Sequence, residues 1–557
     1  MAEVSTPLAK TSLRISRSPT AWVAALLALP MALPILTIVV LATGADFAAW
    51  PHLLKAVLPQ LAITTLLFAA GCGALTLVMG CLSAWLIAMY RFPGRGMLRW
   101  MALLPLAIPG YITALIYVDF LTYAGPLQGW LRTLMDWQSP DDYWFPEIRS
   151  LGGAICVMSL ALYPYVYMSA LAAFVKQPVN QLLAARTLGR PLWRAFVSIT
   201  LPQARPALAV GVVLVIMECM NDIGAVSFFG VRTVTNAIYS TWLDQGDLGG
   251  AAQLAALALL FVATLVWVEQ LARNSDKLSR NAKSSEAMML HTLDGWQAAG
   301  AAVLVFLPVF LGFLLPVILL LGHGLRRFST GFSSGLLSAA WNSIGLALIA
   351  CVGTLLVALL MGHANRQTGS RLLKTCTRFA GMGYALPGTV LGIGTLVPLS
   401  QFDLGINHLT QQVWDWRPGL ILSGSLLGLA LAYVTRFLII AQGSLESGFE
   451  KIPLNLDHVA RTLGRRPWQI LQNIHLPLLR PALLAAALLV FVDAMKELPA
   501  TLILRPFDFE TLATRVFTLA SLGQIEESAM AALAIVVAGL LPVIILARGL
   551  RKVVPKD

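Results

Sequence analysis

Two pairs of acidic residues lie within apolar segments of this chain. Glu218 and Asp222 are four residues apart, and so are Asp493 and Glu497. Residues at this spacing share one face of an α-helix, so each pair presents its carboxylates in one direction. Carboxylates in an apolar segment are unfavourable unless they face water, an opposite charge or a cation, and their oxygens are the ligands that hard cations prefer. The pattern indicates a polar path for a cation or a set of internal ion pairs.

Neighbouring residues keep both interpretations open. Lys496 lies three residues after Asp493 and next to Glu497, while Asn221 precedes Asp222. These side chains could neutralise or cap one another, which would make the acids structural. The candidate path therefore consists of six residues: Glu218, Asn221, Asp222, Asp493, Lys496 and Glu497.

A repeated motif relates the two acidic pairs. Ala-Arg-Thr-Leu-Gly occurs at 185–189 and again at 460–464, a shift of 275 residues. A Leu-Pro pair and an Arg-Pro-Ala-Leu segment follow each copy at the same shift, as do the acids. One constant shift over several separated matches indicates an internal duplication.

The composition places the duplicated segments in a membrane. Hydrophobic residues make up 58% of the 557 residues, charged residues 12%, and the mean hydropathy is +0.76. A soluble protein carries about 25% charged residues. The sequence predicts an all-α integral membrane protein with about 12 transmembrane helices, arranged as two homologous six-helix halves. A helix needs about 20 apolar residues to cross a bilayer. Apolar runs of about this length or longer occur at 22–43, 59–89, 97–119, 151–174, 206–229, 250–271, 298–322, 340–363, 379–400, 419–441, 481–504 and 527–547.

The distribution of basic residues predicts the orientation. With the N-terminus in the cytoplasm, 29 of the 39 Lys and Arg residues fall in cytoplasmic segments, a count that includes Arg436. This bias follows the positive-inside rule. Both termini and both repeated motifs are then cytoplasmic, and the net charge of +12 reflects topology and attraction to anionic lipid rather than binding of nucleic acid. We expect the chain to divide into a tail at 1–20, a first transmembrane domain at 21–275, a linker at 276–296, a second transmembrane domain at 297–550 and a tail at 551–557.

Helix-breaking dipeptides also recur in the two halves. Pro109-Gly110 and Pro387-Gly388 are 278 residues apart, each within the third apolar run of its half. Interrupted helices at matching places line substrate paths in some transporters. Ordinary kinks in a packed bundle are the alternative.

Other residues with chemical potential form no motif. The seven histidines are dispersed, and the six cysteines, which have no paired spacing, are expected to be small packing residues without a metal or a disulfide. Tyrosines near helix ends are expected to be interfacial anchors rather than ligands. These are Tyr111, Tyr117, Tyr163, Tyr165 and Tyr167.

The repeated motif predicts a helix, a glycine turn and a second helix. In the first copy, residues 177–204, Gln177-Pro178 breaks the preceding helix, Gly189 forms the turn, and Leu201-Pro202 is expected to end the second helix. Such a unit, parallel to the membrane, could dock in the groove of a partner or rest on lipid. Its duplication favours docking.

This unit resembles the EAA loop of ABC importer permeases. The resemblance implies a type I importer fold in which each half carries a cytoplasmic coupling helix that contacts an ATP-hydrolysing subunit. The initial acidic residue of that pattern is absent, with Leu183 in one copy and His458 in the other. The coupling residues implied are Ala185, Leu188, Gly189, Leu201, Pro202, Ala460, Leu463, Gly464, Leu476 and Pro477.

Further segments resemble the fused permeases of iron(III) importers, above all Pro105–Tyr111 and Lys496–Thr501. The resemblance implies a permease subunit in a bacterial inner membrane and a periplasmic binding protein that lands on the outer loops, especially 120–150. With iron as the substrate, the carboxylates of Asp222 and Glu497 are candidates for transient contact with Fe(III), and no firm metal site is expected. Related branches that carry thiamine, phosphonates or polyamines share the scaffold.

The chain has no Gly-Lys dipeptide, so it cannot build a phosphate-binding loop of the Walker type. We therefore expect no cofactor in this chain, no catalysis by it, and ATP with Mg bound by two copies of a partner ATPase. An ion-coupled secondary transporter and, more distantly, a membrane enzyme are the alternative interpretations.

Overall fold

The computed structural model describes residues 19–44, 55, 57–175, 185, 187–189, 191–279, 291–327, 334–368 and 370–553. Eleven helices in this part of the chain are long and apolar enough to cross a membrane. A bent pair, Arg95–Ala107 with Gly110–Met135 at 89°, adds a twelfth span if the pair counts as one. The prediction of an all-α membrane protein with about 12 spans is confirmed.

The first half contains eleven described α-helices. They are α1 (Pro19–Gly44), α2 (Leu58–Met89), α3 (Arg95–Met101), α4 (Gly110–Leu121), α5 (Pro126–Met135), α6 (Leu151–Val175), α7 (Leu192–Ala195), α8 (Leu201–Asn221), α9 (Ile223–Phe228), α10 (Val234–Leu243) and α11 (Leu248–Ser279). Short 3-10 helices at Leu104–Ala107 and Pro140–Asp142 join them.

The second half repeats this order. Its helices are α12 (Gly295–Val309), α13 (Leu315–Arg326), α14 (Ser334–Thr368), α15 (Arg371–Ala380), α16 (Gly388–Trp414), α17 (Leu426–Glu450), α18 (Leu454–Thr462), α19 (Pro467–Ile470), α20 (Leu476–Met495), α21 (Pro499–Leu504), α22 (Leu512–Ser521) and α23 (Ile525–Val553). A 3-10 helix at Gly381–Ala385 matches the one before α4. Strands β1 (Tyr90–Arg91) and β2 (His291–Thr292) pair in parallel.

The halves share their packing as well as their order. In the first half α2, α6 and α8 pack together, and in the second half α14, α17 and α20 do the same. The Thr65 hydroxyl accepts a hydrogen bond from the Val234 N–H at 3.1 Å, and the Ser343 hydroxyl accepts one from the Leu512 N–H at 2.7 Å. Both members of this second contact lie 278 residues after their counterparts, so the duplication extends to individual contacts.

Each half also packs its first helix on the other half. Helix α1 contacts α14, α15 and α16, while α12 and α13 contact α2, α3 and α4. The Tyr117 hydroxyl donates to the Leu311 carbonyl at 2.6 Å across this boundary. The exchange joins the halves over much of their length.

The sequence predicts that the second helix of the repeated motif ends at the Leu-Pro pair, and this prediction is wrong. Helix α7 continues through a π-helical turn, Phe196–Thr200, directly into α8, and α19 continues through Leu471–His475 into α20. Pro202 and Pro477 have no N–H to donate, and the wider turn before each of them changes the hydrogen-bond register. The fifth span therefore starts near Trp193 or Pro467 instead of at 206 or 481. The expected helix break at Gln177–Asn180, together with Leu183, lies outside the described residues.

Candidate functional site

All six candidate path residues line one cavity of about 90 Å³. Glu218 and Asn221 come from the end of α8 and Asp222 from the junction with α9, whereas the second-half residues come from the end of α20 and the segment before α21. Pro109 and Gly110 line the same cavity. The structure thus brings together residues that lie up to 388 positions apart in the sequence.

The cavity lies where helices are interrupted. Helix α8 ends at Asn221 and α20 at Met495, while α4 begins at Gly110 and α16 at Gly388. The preceding residues, Pro109 and Pro387, are extended, with φ of −57° and −53°. A proline fixes its own φ and biases the residue before it away from helix, which separates each short 3-10 helix from the helix that follows.

Two glycines at these breaks allow close approach of the polar groups. A methyl group at Gly110 would collide with the Asp222 carboxylate, and one at Gly388 would lie 2.7 Å from Pro499 Cβ. The Gly388 N–H donates to Asn221 Oδ1 at 2.9 Å, which joins the second half to the first. Both helix starts are therefore in direct contact with the candidate path.

The first-half carboxylates have neutral partners. Glu218 Oε1 accepts a hydrogen bond from the Tyr384 hydroxyl at 2.6 Å. Asp222 Oδ1 accepts one from the Ala225 N–H at 2.9 Å and so caps α9. Among the ion pairs of the described residues, none includes Glu218 or Asp222.

The second-half carboxylates are paired with cations. Lys496 Nζ lies 2.8 Å from Asp493 Oδ1, and Arg436 Nε lies 2.9 Å from Glu497 Oε2. Glu497 Oε1 also accepts a hydrogen bond from the Ala500 N–H at 3.2 Å. Lys496 therefore neutralises Asp493, and Arg436 neutralises Glu497.

Arg436 corrects one assignment made from the sequence. It was counted among the cytoplasmic basic residues, but it lies within α17, is only 3% exposed and lines the cavity. A single arginine in an apolar span was the available signal, since an intramembrane charge marks a functional or paired site. Its partner, Glu497, could not be identified without the fold.

The cavity carries an excess of negative charge. Its lining contains four acids and two bases, which gives a formal charge of −2 when all are ionised. No group of three or more His, Cys, Asp or Glu residues in the described part of the chain is arranged to hold a metal ion. The arrangement can attract a cation without chelating it tightly.

The tyrosines are not the interfacial anchors that the sequence analysis expected. Tyr111, Tyr163 and Tyr167 are each at most 3% exposed, because they pack inside the helix bundle. Tyr111 and Tyr165 line the cavity together with Tyr384. Within the described residues the Tyr111 hydroxyl has no hydrogen-bond partner.

The repeated motif has the same local geometry in both halves. Gly189 and Gly464 adopt positive φ values of 75° and 74°, which glycine accommodates without strain. Ala185 and Ala460 are buried, whereas Leu188 and Leu463 are 79% and 74% exposed. Leu201-Pro202 and Leu476-Pro477 open α8 and α20. We call this motif, residues 185–189 in the first half and 460–464 in the second, together with the helix ends that contact it, the coupling region of each half.

In the second half a buried polar network holds the coupling region. Arg366 Nε donates to Asp457 Oδ2 at 2.6 Å, and the other guanidinium nitrogens donate to the Phe449, Ile452 and Pro453 carbonyls. His475 Nε2 lies 2.8 Å from Asp457 Oδ1. Burial alone would raise the pKa of Asp457, but the hydrogen bonds from Arg366 and His475 outweigh it and hold that pKa below its usual value.

The network ends in a pair of histidines. His475 Nδ1 and His363 Nδ1 are 3.0 Å apart, so one of the two nitrogens must carry a shared proton. The seven histidines are dispersed in the sequence, and the two members of this pair lie 112 residues apart, so no local spacing marks the pair.

In the first half aromatic rings occupy the corresponding place. By the 278-residue shift of α2 to α14, Trp85 corresponds to His363, and by the 275-residue shift Phe174 corresponds to Phe449. The ring of Trp85 packs 4.2 Å from that of Phe196 and 6.1 Å from that of Phe174, centroid to centroid. Among the described residues, aromatic packing thus occupies the place that His363 holds in the second half.

A family model described as "Binding-protein-dependent transport system inner membrane component" matches residues 76–277 and again 354–556. The chain belongs to this family. The double match confirms that the permease consists of two homologous halves, and it identifies the chain as a component of a transport system.

Curated relatives agree with this assignment. The permease is 26% identical over 541 residues to the Fe(3+)-transport system permease protein FbpB 2 of Haemophilus influenzae, covering 95% of this chain and 98% of the relative. It is 29% identical over 216 residues to the sulfate transport system permease protein CysW of Escherichia coli, covering 38% and 71%. It is 28% identical over 268 residues to a putative 2-aminoethylphosphonate transport system permease protein PhnV of Salmonella typhimurium, covering 46% and 94%. The first relative matches both halves, and the other two match about one half.

Proposed function

We propose that this permease is the membrane subunit of an ATP-driven importer that carries iron(III) into the cytoplasm. Two copies of a partner ATPase bind the coupling regions, one beneath each half, and a periplasmic binding protein delivers the substrate at the opposite face. The positive-inside bias supports this orientation, with both termini in the cytoplasm.

The equivalence of the two coupling regions supports power supplied by a partner. Each region presents one exposed leucine, Leu188 or Leu463, beside a glycine turn of the same geometry. Large exposed apolar side chains beside a rigid turn form a surface that fits a groove on another protein. Since the chain has no phosphate-binding loop of its own, the energy must come from such a partner.

The charge of the cavity is the observation that favours a metal cation over an anion. Sulfate and phosphonate permeases are among the relatives, and Lys496 and Arg436 do line the cavity. Each of these bases is already paired with an acid, however, which leaves the excess charge negative. A hard trivalent cation is attracted to such oxygen-rich surroundings, whereas a dianion is repelled.

The test is uptake by a strain of the source bacterium from which the gene for this permease has been deleted. We expect radioactive ferric iron, supplied as the citrate, to enter deleted cells only when the gene is restored, and to stop entering when cellular ATP is depleted. Radioactive sulfate and 2-aminoethylphosphonate, given in parallel, should enter equally with and without the gene. Gene-dependent uptake of either anion, without gene-dependent uptake of iron, would overturn the assignment.

A further inference from the structure

At three corresponding positions of the cavity lining, the second half has a charged or phenolic side chain that the first half lacks. Tyr384, Arg436 and Lys496 of the second half correspond to Leu106, Ala161 and Asn221 of the first, and all six residues line the cavity. Both bases therefore come from the second half. The first half contributes two acids, an amide, two tyrosines and apolar side chains.

We infer that Glu218 and Asp222 of the first half form the surface that contacts the passing cation, while Asp493 and Glu497 serve to neutralise Lys496 and Arg436. This inference rests on the proposed function, because it concerns a cationic substrate. It also changes the earlier expectation, which placed Glu497 beside Asp222 in contact with iron.

The two pairs of carboxylates differ in the charge of their partners. A carboxylate in an ion pair presents little net field to a third charge, whereas a carboxylate whose hydrogen-bond donors are neutral has no paired cation to offset its field when it is ionised. Glu497 and Arg436 are 6% and 3% exposed, so little water screens their attraction. Glu218 and Asp222 accept from a hydroxyl and a backbone N–H, respectively.

The unpartnered hydroxyl of Tyr111 points independently to a ligand. Tyr111 lines the same cavity, is 3% exposed, and has no hydrogen-bond partner among the described residues. A buried hydroxyl without a partner is unfavourable unless a ligand or water satisfies it. A hydrated cation in the cavity supplies both a positive charge for the carboxylates and water for this hydroxyl.

The experiment compares charge removal in the two halves. Glu218→Gln and Asp222→Asn remove one charge each, and the amide oxygens can still accept from Tyr384 and Ala225. The matched controls remove a whole ion pair and so keep the net charge of the cavity: Asp493→Asn with Lys496→Met, and Glu497→Gln with Arg436→Met. Initial rates of ferric iron uptake are measured in the deletion strain, with immunoblots of membranes to normalise for the amount of permease.

We expect each first-half variant to lose about ten- to hundredfold in normalised uptake rate, the range that corresponds to one charged contact. Each paired control should stay within about threefold of the wild type, because a buried pair can often be replaced by uncharged residues. If one paired control fails to accumulate in the membrane, the other paired control serves alone.

The possible outcomes separate this inference from the proposed function. Iron uptake by the wild type with equal losses in both halves, or full uptake by Asp222→Asn, would overturn the inference alone. Gene-dependent uptake of sulfate without uptake of iron would overturn the proposed function and, with it, the assignment of a cation-contacting surface.

Discussion

The two coupling regions share the geometry of their glycine turns, but the described side chains around the two turns differ in chemistry. In the second half, Arg366, Asp457 and two histidines form a buried polar network, whereas in the first half Trp85 packs against Phe174 and Phe196. Both arrangements leave a leucine and a glycine turn in the same exposed position. The duplication has thus kept the exposed leucine and the glycine turn, while the described side chains around them have diverged.

The cavity shows the same division at the other end of these helices. Both bases of the cavity belong to the second half and pair with its acids, while no ion pair among the described residues includes Glu218 or Asp222 of the first half. Symmetry is retained where two copies of one partner are expected to bind. It is lost where a single substrate is expected to pass.

Removing one member of the buried network should have the largest effect on stability. Asp457→Ala leaves the Arg366 guanidinium buried without its carboxylate, and we expect a loss of about 3–5 kcal/mol in the free energy of unfolding. Denaturation of the purified protein in detergent measures this loss. Arg366→Met combined with Asp457→Leu is the control, and it should lose clearly less. An equal loss in the single and double variants would show that the charges do not stabilise the second coupling region.

The stability of the two coupling regions should depend differently on pH. The pKa of Asp457 is lower in the folded state, so its pairing contributes fully above the unfolded pKa of about 3.9 and is lost as pH falls through the folded value. The stability difference between the wild type and Arg366→Met should therefore be smaller in strong acid, where Asp457 is protonated, than at pH 8. The difference between the wild type and Trp85→Ala, which involves no titrating group, should not follow this decline. Parallel pH profiles would contradict the contrast between the regions.

Substitution of the turn glycine should reduce iron uptake similarly in both halves. Its energetic effect should be smaller than that of removing Asp457. A β-branched residue at positive φ is strained by about 1–2 kcal/mol, so Gly189→Val and Gly464→Val should each reduce iron uptake while the permease still accumulates in the membrane. Gly295→Val, which places the same strain at φ 58° away from both motifs, is the control. Normal uptake in both motif variants would remove the support for docking at these turns.

Much of the architecture was predictable because the constant shift between repeated segments aligns the two halves residue by residue. The number of spans, the pairing of Glu218 with Asp493 in the alignment, and the recurrence of the Pro-Gly breaks all follow from segments that match at a fixed shift. The meeting of the acids in one cavity could be expected for the same reason, since related helices surround a common axis.

What could not be predicted depends on contacts between distant segments. The Arg436–Glu497 pair joins residues 61 positions apart, and the His363–His475 contact spans 112 positions. Neither pair is marked by a local spacing. The continuation of α7 into α8 was missed because a Leu-Pro pair usually indicates a helix boundary, and the π-helical turn that accommodates it has no clear sequence signal.

The most direct test of unequal halves exchanges one corresponding residue between them. Asn221→Lys places a cation three residues after Glu218, as Lys496 stands after Asp493, while Lys496→Asn makes the reverse change. Asn221→Met controls for loss of the hydrogen bond from Gly388. Initial rates of ferric iron uptake are compared at equal amounts of membrane permease. Our account predicts that Asn221→Lys abolishes uptake, that Asn221→Met retains most of it, and that Lys496→Asn transports at least as well as Asn221→Met. Equal rates for Asn221→Lys and Lys496→Asn, or a greater loss in Lys496→Asn, would contradict it.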